Sequence, residues 1–167
     1  MNRGKEKEQN SKRMIRGISF RAANPDYHVL GKILKNVKIE EYTWYMIEDQ
    51  SEVWTEAGEE RGNCFFDKAE YQGEEFRLKI QGGAYIIFLK LEAYSQEKNQ
   101  ADICSYEEFQ KSGCKILILI YDCEFIEVYV KGEELLERIH QDVIDNQFRD
   151  VSYISDCNDE RETWNVR

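Results

Sequence analysis

Two long apolar runs dominate the pattern of hydrophobic and polar positions along this chain. Residues 116–121 read Ile-Leu-Ile-Leu-Ile-Tyr, and residues 84–89 are apolar throughout before the pattern alternates as far as residue 93. A continuous apolar run rich in β-branched residues is typical of a strand that is buried on both faces of a sheet. We therefore predict that these two runs are central strands of one sheet.

The stretch after the second run predicts a strand–strand–helix unit around which the domain is built. Asp122-Cys123-Glu124 interrupts the apolar pattern, and residues 125–130 then alternate with a period of two. This change predicts a tight hairpin whose second strand has one face that is more apolar than the other. Gly132 ends that strand, and residues 133–147 carry apolar side chains at helical spacing.

The remaining pattern predicts shorter elements on both sides of this unit. Strands are predicted at residues 15–21, 42–48, 53–54, 151–155 and 163–166, and helices at residues 25–37 and 105–112. Residues 74–80 fit either a short helix or a strand, and the helix is favoured. Asn24-Pro25 has the residue types of a helix N-cap followed by a first helical position, and Ser105 to Glu108 has the spacing of a capping box.

Strands joined by hairpins and mixed with separate helices indicate an α+β fold. We predict a single α+β domain over residues 14–167, with a mixed, mostly antiparallel sheet of about six strands and three to four helices packed on it. Residues 1–13 are polar and lack periodicity. They are expected to be a disordered tail or a misassigned extension, with Met14 as the alternative start.

The charge of the chain favours some partners over others. The net charge is −10, although five of the first thirteen residues are basic and only two are acidic. An acidic body repels phosphate backbones, so nucleic acid is not an expected partner. The same charge attracts a basic protein or a cationic ligand.

The cysteines and the apolar runs bear on the cellular location. The five cysteines are odd in number and irregular in spacing, and no Cys-x-x-Cys occurs. The start of the chain carries no apolar segment that could act as a signal peptide, and no run approaches the roughly 20 residues of a membrane helix. We expect a cytoplasmic protein with free thiols and no membrane association. Cys123, which is flanked by two carboxylates, is predicted to be an inert thiol.

The usual catalytic and metal-binding signatures are absent from the sequence. The chain has only two histidines, neither at metal-ligand spacing from a cysteine, so no metal and no cofactor are expected. Asp156 to Glu160 resembles the first five places of a calcium loop, but Arg161 and Arg167 stand where the loop requires glycine and glutamate. No catalytic residue is assigned, and the balance favours a protein that is not an enzyme.

The candidate binding site is an acidic segment with a tryptophan inside it. Residues 48–60 contain six acidic residues and no Lys or Arg. Tryptophan commonly anchors protein interfaces, and surrounding carboxylates steer a basic partner. The candidate residues are Glu52, Trp54 and Glu56, and Trp44 and Tyr45 on the preceding strand extend the patch. In the alternative interpretation, the segment is a solvated loop whose Trp54 folds back onto the core.

Two functional hypotheses follow. The leading one is a non-enzymatic, cytoplasmic protein-binding domain of the immunity or inhibitor type, which uses the acidic aromatic patch to bind a basic protein. The alternative is a small-ligand-binding protein or an enzyme without a recognisable signature. A closed pocket that contains His28 and converging carboxylates would favour the alternative.

Several short stretches, taken together, resemble a small family of uncharacterised proteins from Bacillus-type bacteria, classified as a domain of unknown function. These stretches are Ile15 to Phe20, Tyr42 to Trp44, Ser105 to Phe109, Glu134 to Leu136, and Tyr153 to Asp156 with Asn158-Asp159. The resemblance spans nearly the whole chain from Met14 onward, and residues 1–13 depart from it. It implies a cytosolic bacterial protein and assigns no site residue.

Overall fold

The computed structural model describes residues 14–57, 65–95 and 102–167. Within these residues, one eight-stranded sheet forms, and all of its strand pairs are antiparallel. The strands are β1 Ile15–Arg21, β2 Tyr42–Met46, β3 Glu52–Thr55, β4 Glu70–Gln72, β5 Ala84–Ser95, β6 Cys114–Tyr121, β7 Phe125–Val130 and β8 Arg149–Ser155. The helices are α1 Val29–Ile33, α2 Gly73–Lys79, α3 Tyr106–Lys111 and α4 Glu133–Asp145, and two short 3-10 helices span Ile39–Glu41 and Glu48–Gln50.

The predicted α+β fold is confirmed, but the predicted number of about six strands is wrong. The described residues contain eight strands, and none of them pairs in parallel. The sequence analysis missed β4, because three residues are too few to show an alternating pattern. The expected tail at residues 1–13 lies outside the described residues.

The strand order places the two apolar runs side by side. The order is β4-β2-β5-β6-β7-β1-β8, and β3 also pairs with β5. Leu91 of β5 pairs with Ile118 of β6, near the centre of the sheet. The twelve-residue β5 is long enough to pair with β2 through its second half and with β3 through its first half. The prediction of two central strands is therefore confirmed.

The predicted hairpin connects β6 and β7. Asp122 has φ 50° and Cys123 has φ 67°, and Tyr121 pairs with Phe125 directly below the turn. Two successive residues with positive φ give the backbone twist that suits a tight hairpin. The interruption of the apolar pattern at Asp122-Cys123-Glu124 therefore located the turn correctly.

Each face of the sheet has its own apolar core. On the first face, α1 and α4 pack against alternate residues of the central strands, including Ile116, Ile118 and Ile120. On the second face, Phe109 of α3 and Trp164 cover Leu117, Leu119 and Tyr129. A central strand that is buried on both sides explains why β6 is apolar at consecutive positions.

The predicted strand at residues 163–166 is wrong. These residues cross the second face as an irregular segment: the backbone N–H of Trp164 donates to Cys104 O at 3.0 Å, and that of Val166 donates to Gln50 Oε1 at 3.0 Å. Trp164 and Val166 are buried and Asn165 is exposed, which imitates the alternation of a strand. The partners of the segment, however, are loops and side chains, not a strand edge.

Both ends of the predicted first helix, residues 25–37, are also wrong, since α1 spans Val29–Ile33 and residues 34–36 form a turn. Helix α1 begins at Val29, because Asp26 Oδ1 accepts a hydrogen bond from the backbone N–H of His28 at 3.0 Å and holds the preceding residues in a turn. Proline fixes φ at a value that suits a turn as well as a first helical position. The apolar stripe is nevertheless buried as the spacing predicted, at Val29, Leu30, Ile33, Leu34 and Val37.

The other predicted elements agree with the structure to within two residues at each end. Helix α2 spans Gly73–Lys79 where residues 74–80 were predicted, and Ser105 Oγ accepts from the backbone N–H of Glu108 at 3.2 Å at the start of α3. In a usual capping box the Glu108 side chain would accept from the backbone N–H of the N-cap residue, Ser105. Here Glu108 Oε2 accepts from the backbone N–H of Cys104 at 2.7 Å. Among the helices of the described segments, none is both long enough and apolar enough to cross a bilayer.

Two charged side chains of β5 are buried on the second face and anchor the chain after residue 101. Lys90 Nζ lies 2.7 Å from Asp102 Oδ1. Glu92 accepts from the backbone N–H of Ile103 at 2.9 Å and from the Tyr94 hydroxyl at 2.8 Å. Burial raises the pKa of Glu92 above its ordinary value of 4.5, and these hydrogen bonds only partly oppose the rise.

The raised pKa of Glu92 predicts a loss of stability toward high pH. Folded Glu92 binds its proton more tightly than unfolded Glu92, so its contribution is complete below the ordinary pKa and is lost as the pH rises through the folded pKa. The variant Glu92→Gln should therefore lose less free energy of unfolding between about pH 5 and about pH 8 than the parent protein. Urea denaturation at each pH measures this loss.

The matched control for this prediction is Glu107→Gln. Glu107 lies on the surface of α3 beside Lys111, whose hydrogen bond lowers the pKa of the Glu107 carboxyl. Its contribution to stability is therefore lost as the pH falls and not as the pH rises. This control variant should lose as much stability toward high pH as the parent. Equal pH profiles for Glu92→Gln and the parent protein would contradict the prediction.

Candidate functional site

An open depression lined by aromatic side chains lies at one end of the sheet, with a volume of about 280 Å³. Its residues come from β3, from the beginning of β5 and from the loop that precedes α1. We call it the aromatic depression, and its lining residues are Asn24, Pro25, Tyr27, Trp54, Thr55, Glu56 and Tyr85. Pairing of β3 with β5 places Trp54 opposite Tyr85, and the backbone N–H of Ala84 donates to Tyr27 O at 2.8 Å, which fixes the loop beside them.

Two aromatic rings, those of Trp54 and Tyr27, stand beside Tyr85 at tilted angles. The Tyr85 ring centroid lies 6.1 Å from that of Trp54 and 6.2 Å from that of Tyr27, with interplanar angles of 51° and 50°. The Tyr85 hydroxyl donates to Asn24 Oδ1 at 3.1 Å and lies 3.4 Å from Cys123 Sγ. The contact with Cys123 and, after it, burial raise the pKa of Tyr85, so this hydroxyl remains protonated at neutral pH.

The two carboxylates near Trp54 have different surroundings. Glu52 Oε1 accepts from Trp54 Nε1 at 3.3 Å, and Glu52 Oε2 lies 3.5 Å from the guanidinium of Arg167. Glu56 is exposed and forms no ion pair with any residue of the described segments. Its carboxylate lies over Gly83, where an added Cβ would come within 2.1 Å of Glu56 Oε2. Glu56 therefore supplies a negative charge at the rim of the depression that no basic side chain of the described residues pairs with.

The structure brings together only part of the predicted patch. Trp54, Glu52 and Glu56 lie at the same end of the sheet, and Trp54 is partly exposed. The acidic residues after residue 57 lie outside the described residues. Trp54 does not fold back into the core, as the alternative interpretation required, although its indole N–H is held by Glu52.

Trp44 and Tyr45 do not extend the patch, and their inclusion was wrong. Trp44 is fully buried in the first core, where it stacks on Phe76 at 4.5 Å and donates its indole N–H to Ile39 O at 3.0 Å. Tyr45 points to the opposite face and packs on Tyr94, with ring centroids 5.6 Å apart. Successive residues of a strand face opposite sides, and both sides of β2 are covered.

The sequence analysis missed Tyr27, Tyr85, Asn24 and Pro25 as site residues. Tyr85 and Asn24 are 61 positions apart in the chain, so no local pattern could place them together. The sequence offered one clue to Tyr85, which is its position at the start of a buried apolar run. This position indicates that Tyr85 lies at the end of a strand, but it does not show which other residues lie beside it.

The closed pocket of His28 and converging carboxylates that would have favoured the small-ligand or enzyme alternative is not found among the described residues. His28 is exposed immediately before α1 and lines a groove between α1 and α2. The charged side chains that line the same groove are Lys32, Lys35 and Arg77. The groove beside His28 is therefore lined by basic side chains, and the nearby Asp26 carboxylate is already used by the backbone N–H of His28 and by Lys32.

The acidic turn at residues 156–160 uses its side chains within the fold. Asn158 Oδ1 accepts from the backbone N–H of Ser155 at 2.7 Å, and Asp159 lies 3.1 Å from Arg16 and accepts from the Tyr129 hydroxyl at 3.2 Å. Across the described segments, no group of three or more His, Cys, Asp or Glu side chains is arranged to hold a metal ion.

These features define the class of the protein as an α+β domain with an antiparallel sheet and an open aromatic depression at one end of it. The chain matches, over residues 15–165, the family described as "Protein of unknown function (DUF2691)", and it belongs to that family. A relative from Bacillus subtilis (strain 168), "Uncharacterized protein YncE", is 30% identical over 154 residues, which cover 92% of this chain and 100% of the relative. No solved structure matches the chain. The family resemblance inferred from the short stretches is thereby confirmed.

Proposed function

We propose that this protein is a non-enzymatic binding domain for a basic protein, and that a Lys or Arg side chain of the partner enters the aromatic depression. The observation that carries the proposal is the group of three rings, Trp54, Tyr85 and Tyr27, with the Glu56 carboxylate at the rim. A cation over an aromatic face is attracted by the ring quadrupole, and a nearby carboxylate adds Coulomb attraction.

Cation–π contacts elsewhere in the fold differ from the arrangement at the aromatic depression. Other aromatic rings of the described segments lie under a Lys or Arg of the same chain, with the cation 4.1 to 5.1 Å from the ring centroid. The pairs are Arg16–Tyr106, Arg21–Phe125, Lys68–Tyr71, Lys79–Phe65, Lys131–Phe109 and Arg161–Tyr121. No described Lys or Arg makes such a contact with Trp54, Tyr85 or Tyr27. A Lys or Arg side chain of a partner would supply the cation that these three rings lack within the described residues.

Long-range charge and compartment support the same proposal. A net charge of −10 accelerates the approach of a basic partner, and Glu56 directs the encounter toward the depression. Cys104, Cys114, Cys123 and Cys157 are free thiols, which suits a reducing cytoplasm. The role we propose is that of an immunity or inhibitor-type protein that neutralises a basic protein in the same cell.

The test uses a short peptide of alternating Arg and Gly, with a Glu-Gly peptide of the same length as the negative probe. The Arg peptide should bind the parent protein and shift the backbone amide signals of residues 54–56 and 85 in two-dimensional NMR spectra. Trp54→Leu should weaken binding about 2- to 30-fold, since a cation–π contact contributes about 0.5–2 kcal/mol and tryptophan is the best of the aromatic rings for it. Glu56→Gln should weaken binding by a smaller factor, because an exposed charge pair contributes about 0–1 kcal/mol.

Glu48→Gln provides the matched control, since Glu48 belongs to the same acidic segment but does not line the depression. It removes one negative charge and should leave the affinity nearly unchanged. The proposal fails if the Glu peptide binds as well as the Arg peptide. It also fails if Trp54→Leu leaves the affinity unchanged, or if Glu56→Gln and Glu48→Gln weaken binding equally, because binding would then depend on overall charge alone.

A further inference from the structure

A groove of about 340 Å³ lies between α1 and α2, away from the aromatic depression, and its floor is apolar. Leu34, Val37, Ile39 and Ile80 form this floor, and each of them is more than nine-tenths buried. The size falls within the range of small-molecule sites, which are mostly apolar with a few polar groups at the margin. We call this feature the basic groove, because of the side chains along its rim.

The charged side chains that line the basic groove all have the same sign. Lys32, Lys35 and Arg77 line it, and no Asp or Glu does, although acidic residues outnumber basic residues by 33 to 23 in the chain. The distribution of charge is therefore opposite to that of the protein as a whole. Gln81 adds a neutral amide donor to the lining, whereas Asn146 Nδ2 already donates to Asp142 O at 2.8 Å and to Lys32 O at 3.5 Å.

The three cations remain able to bind an external anion. Lys35 is exposed and forms no ion pair with another residue of the described segments. Arg77 pairs with Glu74 at the surface, and a surface ion pair contributes about 0–1 kcal/mol, so a ligand carboxylate or phosphate can share Arg77 at small cost. Lys32 pairs with the mostly buried carboxylate of Asp26 at 2.8 Å, but its own side chain is 40% exposed and its ammonium has further N–H donors.

Gly31 provides a second and independent observation. It lies in the middle of α1 and lines the basic groove, although a glycine in a helix costs about 0.5–1 kcal/mol relative to alanine. No close contact in the fold requires glycine there, because an added Cβ would meet only Ile80 O, at 3.9 Å. The consequence of having glycine at this position is that the groove stays open.

We infer that the basic groove binds a small organic anion. The apolar body of the ligand would lie on the floor formed by Leu34, Val37, Ile39 and Ile80, and its carboxylate or phosphate group would bind Lys35, with Lys32 and Arg77 beside it. This site is separate from the aromatic depression and does not depend on the function proposed for the depression. It gives the small-ligand alternative a location and a ligand class.

The test compares four probes with the same eight-carbon chain below their micelle concentrations: octanoate, octyl phosphate, octanol and octyltrimethylammonium. Backbone amide shifts of residues 29–35 and 77–81 in two-dimensional NMR spectra report binding. At least one anion should bind saturably and at least tenfold more tightly than the alcohol and the cation, since charge-assisted hydrogen bonds are stronger than neutral ones. The tighter of the two anions identifies the head group.

Two variants and a control locate the site. Gly31→Leu fills the groove and should abolish anion binding, while the melting temperature stays equal or rises. Lys35→Gln should weaken anion binding about fivefold or more without changing the fold. Lys38→Gln is the matched control, because Lys38 pairs with Glu41 at 3.5 Å outside the groove, and it should bind as the parent does.

Three results would overturn the inference. The first is an anion affinity no higher than that of octanol, which would show an adventitious apolar contact. The second is unchanged binding in folded Gly31→Leu, which would place the ligand elsewhere. The third is an equal loss in Lys35→Gln and Lys38→Gln, which would show dependence on net charge alone. If Gly31→Leu does not fold, the comparison of the two lysine variants still decides the matter.

Discussion

Replacing Trp164 with alanine is expected to lower the free energy of unfolding by about 3–5 kcal/mol, the usual cost of truncating a buried aromatic side chain. Trp164 is fully buried at the centre of the second core, with its ring centroid 4.1 Å from that of Tyr129 and 5.6 Å from that of Phe109. Its loss leaves a cavity between α3 and the sheet. Urea denaturation measures the cost as a lower midpoint at constant slope.

The matched variant for this prediction is Trp164→Phe. No described residue accepts a hydrogen bond from Trp164 Nε1, although the atom is buried. Phenylalanine keeps the ring contacts and removes an unpaired buried donor, so we expect a loss below about 2 kcal/mol. If Trp164→Ala costs no more than an ordinary surface substitution, about 0.5 kcal/mol, the C-terminal segment does not cover the second face as described.

Replacing Gly17 with alanine is expected to lower the free energy of unfolding by about 3 kcal/mol or more, at the upper end of the cost of overpacking. Gly17 lies in β1 between β7 and β8. A Cβ there would lie 2.0 Å from Val128 O and 2.9 Å from Val128 C. Both atoms belong to the backbone of the neighbouring strand, so relief requires the two strands to separate. Thermal and urea denaturation should both register the loss.

Gly113→Ala is the control for the Gly17 variant. The nearest atom to a Cβ at Gly113 is Tyr94 Cδ1, at 3.7 Å, which is an ordinary van der Waals distance. We expect a change of no more than about 0.5 kcal/mol. Equal stabilities of the two alanine variants would contradict the close approach of β1 and β7.

The elements with strong periodicity were predictable from the sequence. Strands β5 and β6 are apolar at consecutive positions because both faces of the sheet are covered, and α4 shows helical spacing because one side of it is buried against the sheet. These signals are local, and burial is their physical cause. They were sufficient to place the two central strands, the hairpin and the last helix.

The elements that were mispredicted depend on contacts that the local pattern does not contain. The chain around Asn24-Pro25 has residue types that suit either a helix start or a turn, and the hydrogen bond between Asp26 and His28 decides for the turn. Residues 163–166 alternate like a strand, but they pack as an irregular segment on a face that strands already occupy. In both cases the tertiary partner, and not the propensity, determines the structure.

Only those residues of the candidate site that lie close together in the sequence were predictable. Glu52 and Trp54 lie at alternate positions of β3 and Glu56 directly follows the strand, and the acidic composition of their segment drew attention to them. Tyr85 joins them only because β3 pairs with β5, which no single segment of sequence specifies. Trp44 and Tyr45 were included because aromatic residues suit interfaces and cores equally well.

The positions of Trp44, Trp54 and Trp164 have a practical consequence. One indole is enclosed by the first core, one stands at the aromatic depression and one is enclosed by the second core. Intrinsic fluorescence of the protein is therefore a sum of three separately placed emitters. Variants that retain a single tryptophan convert that signal into an optical readout of one chosen region without any attached dye.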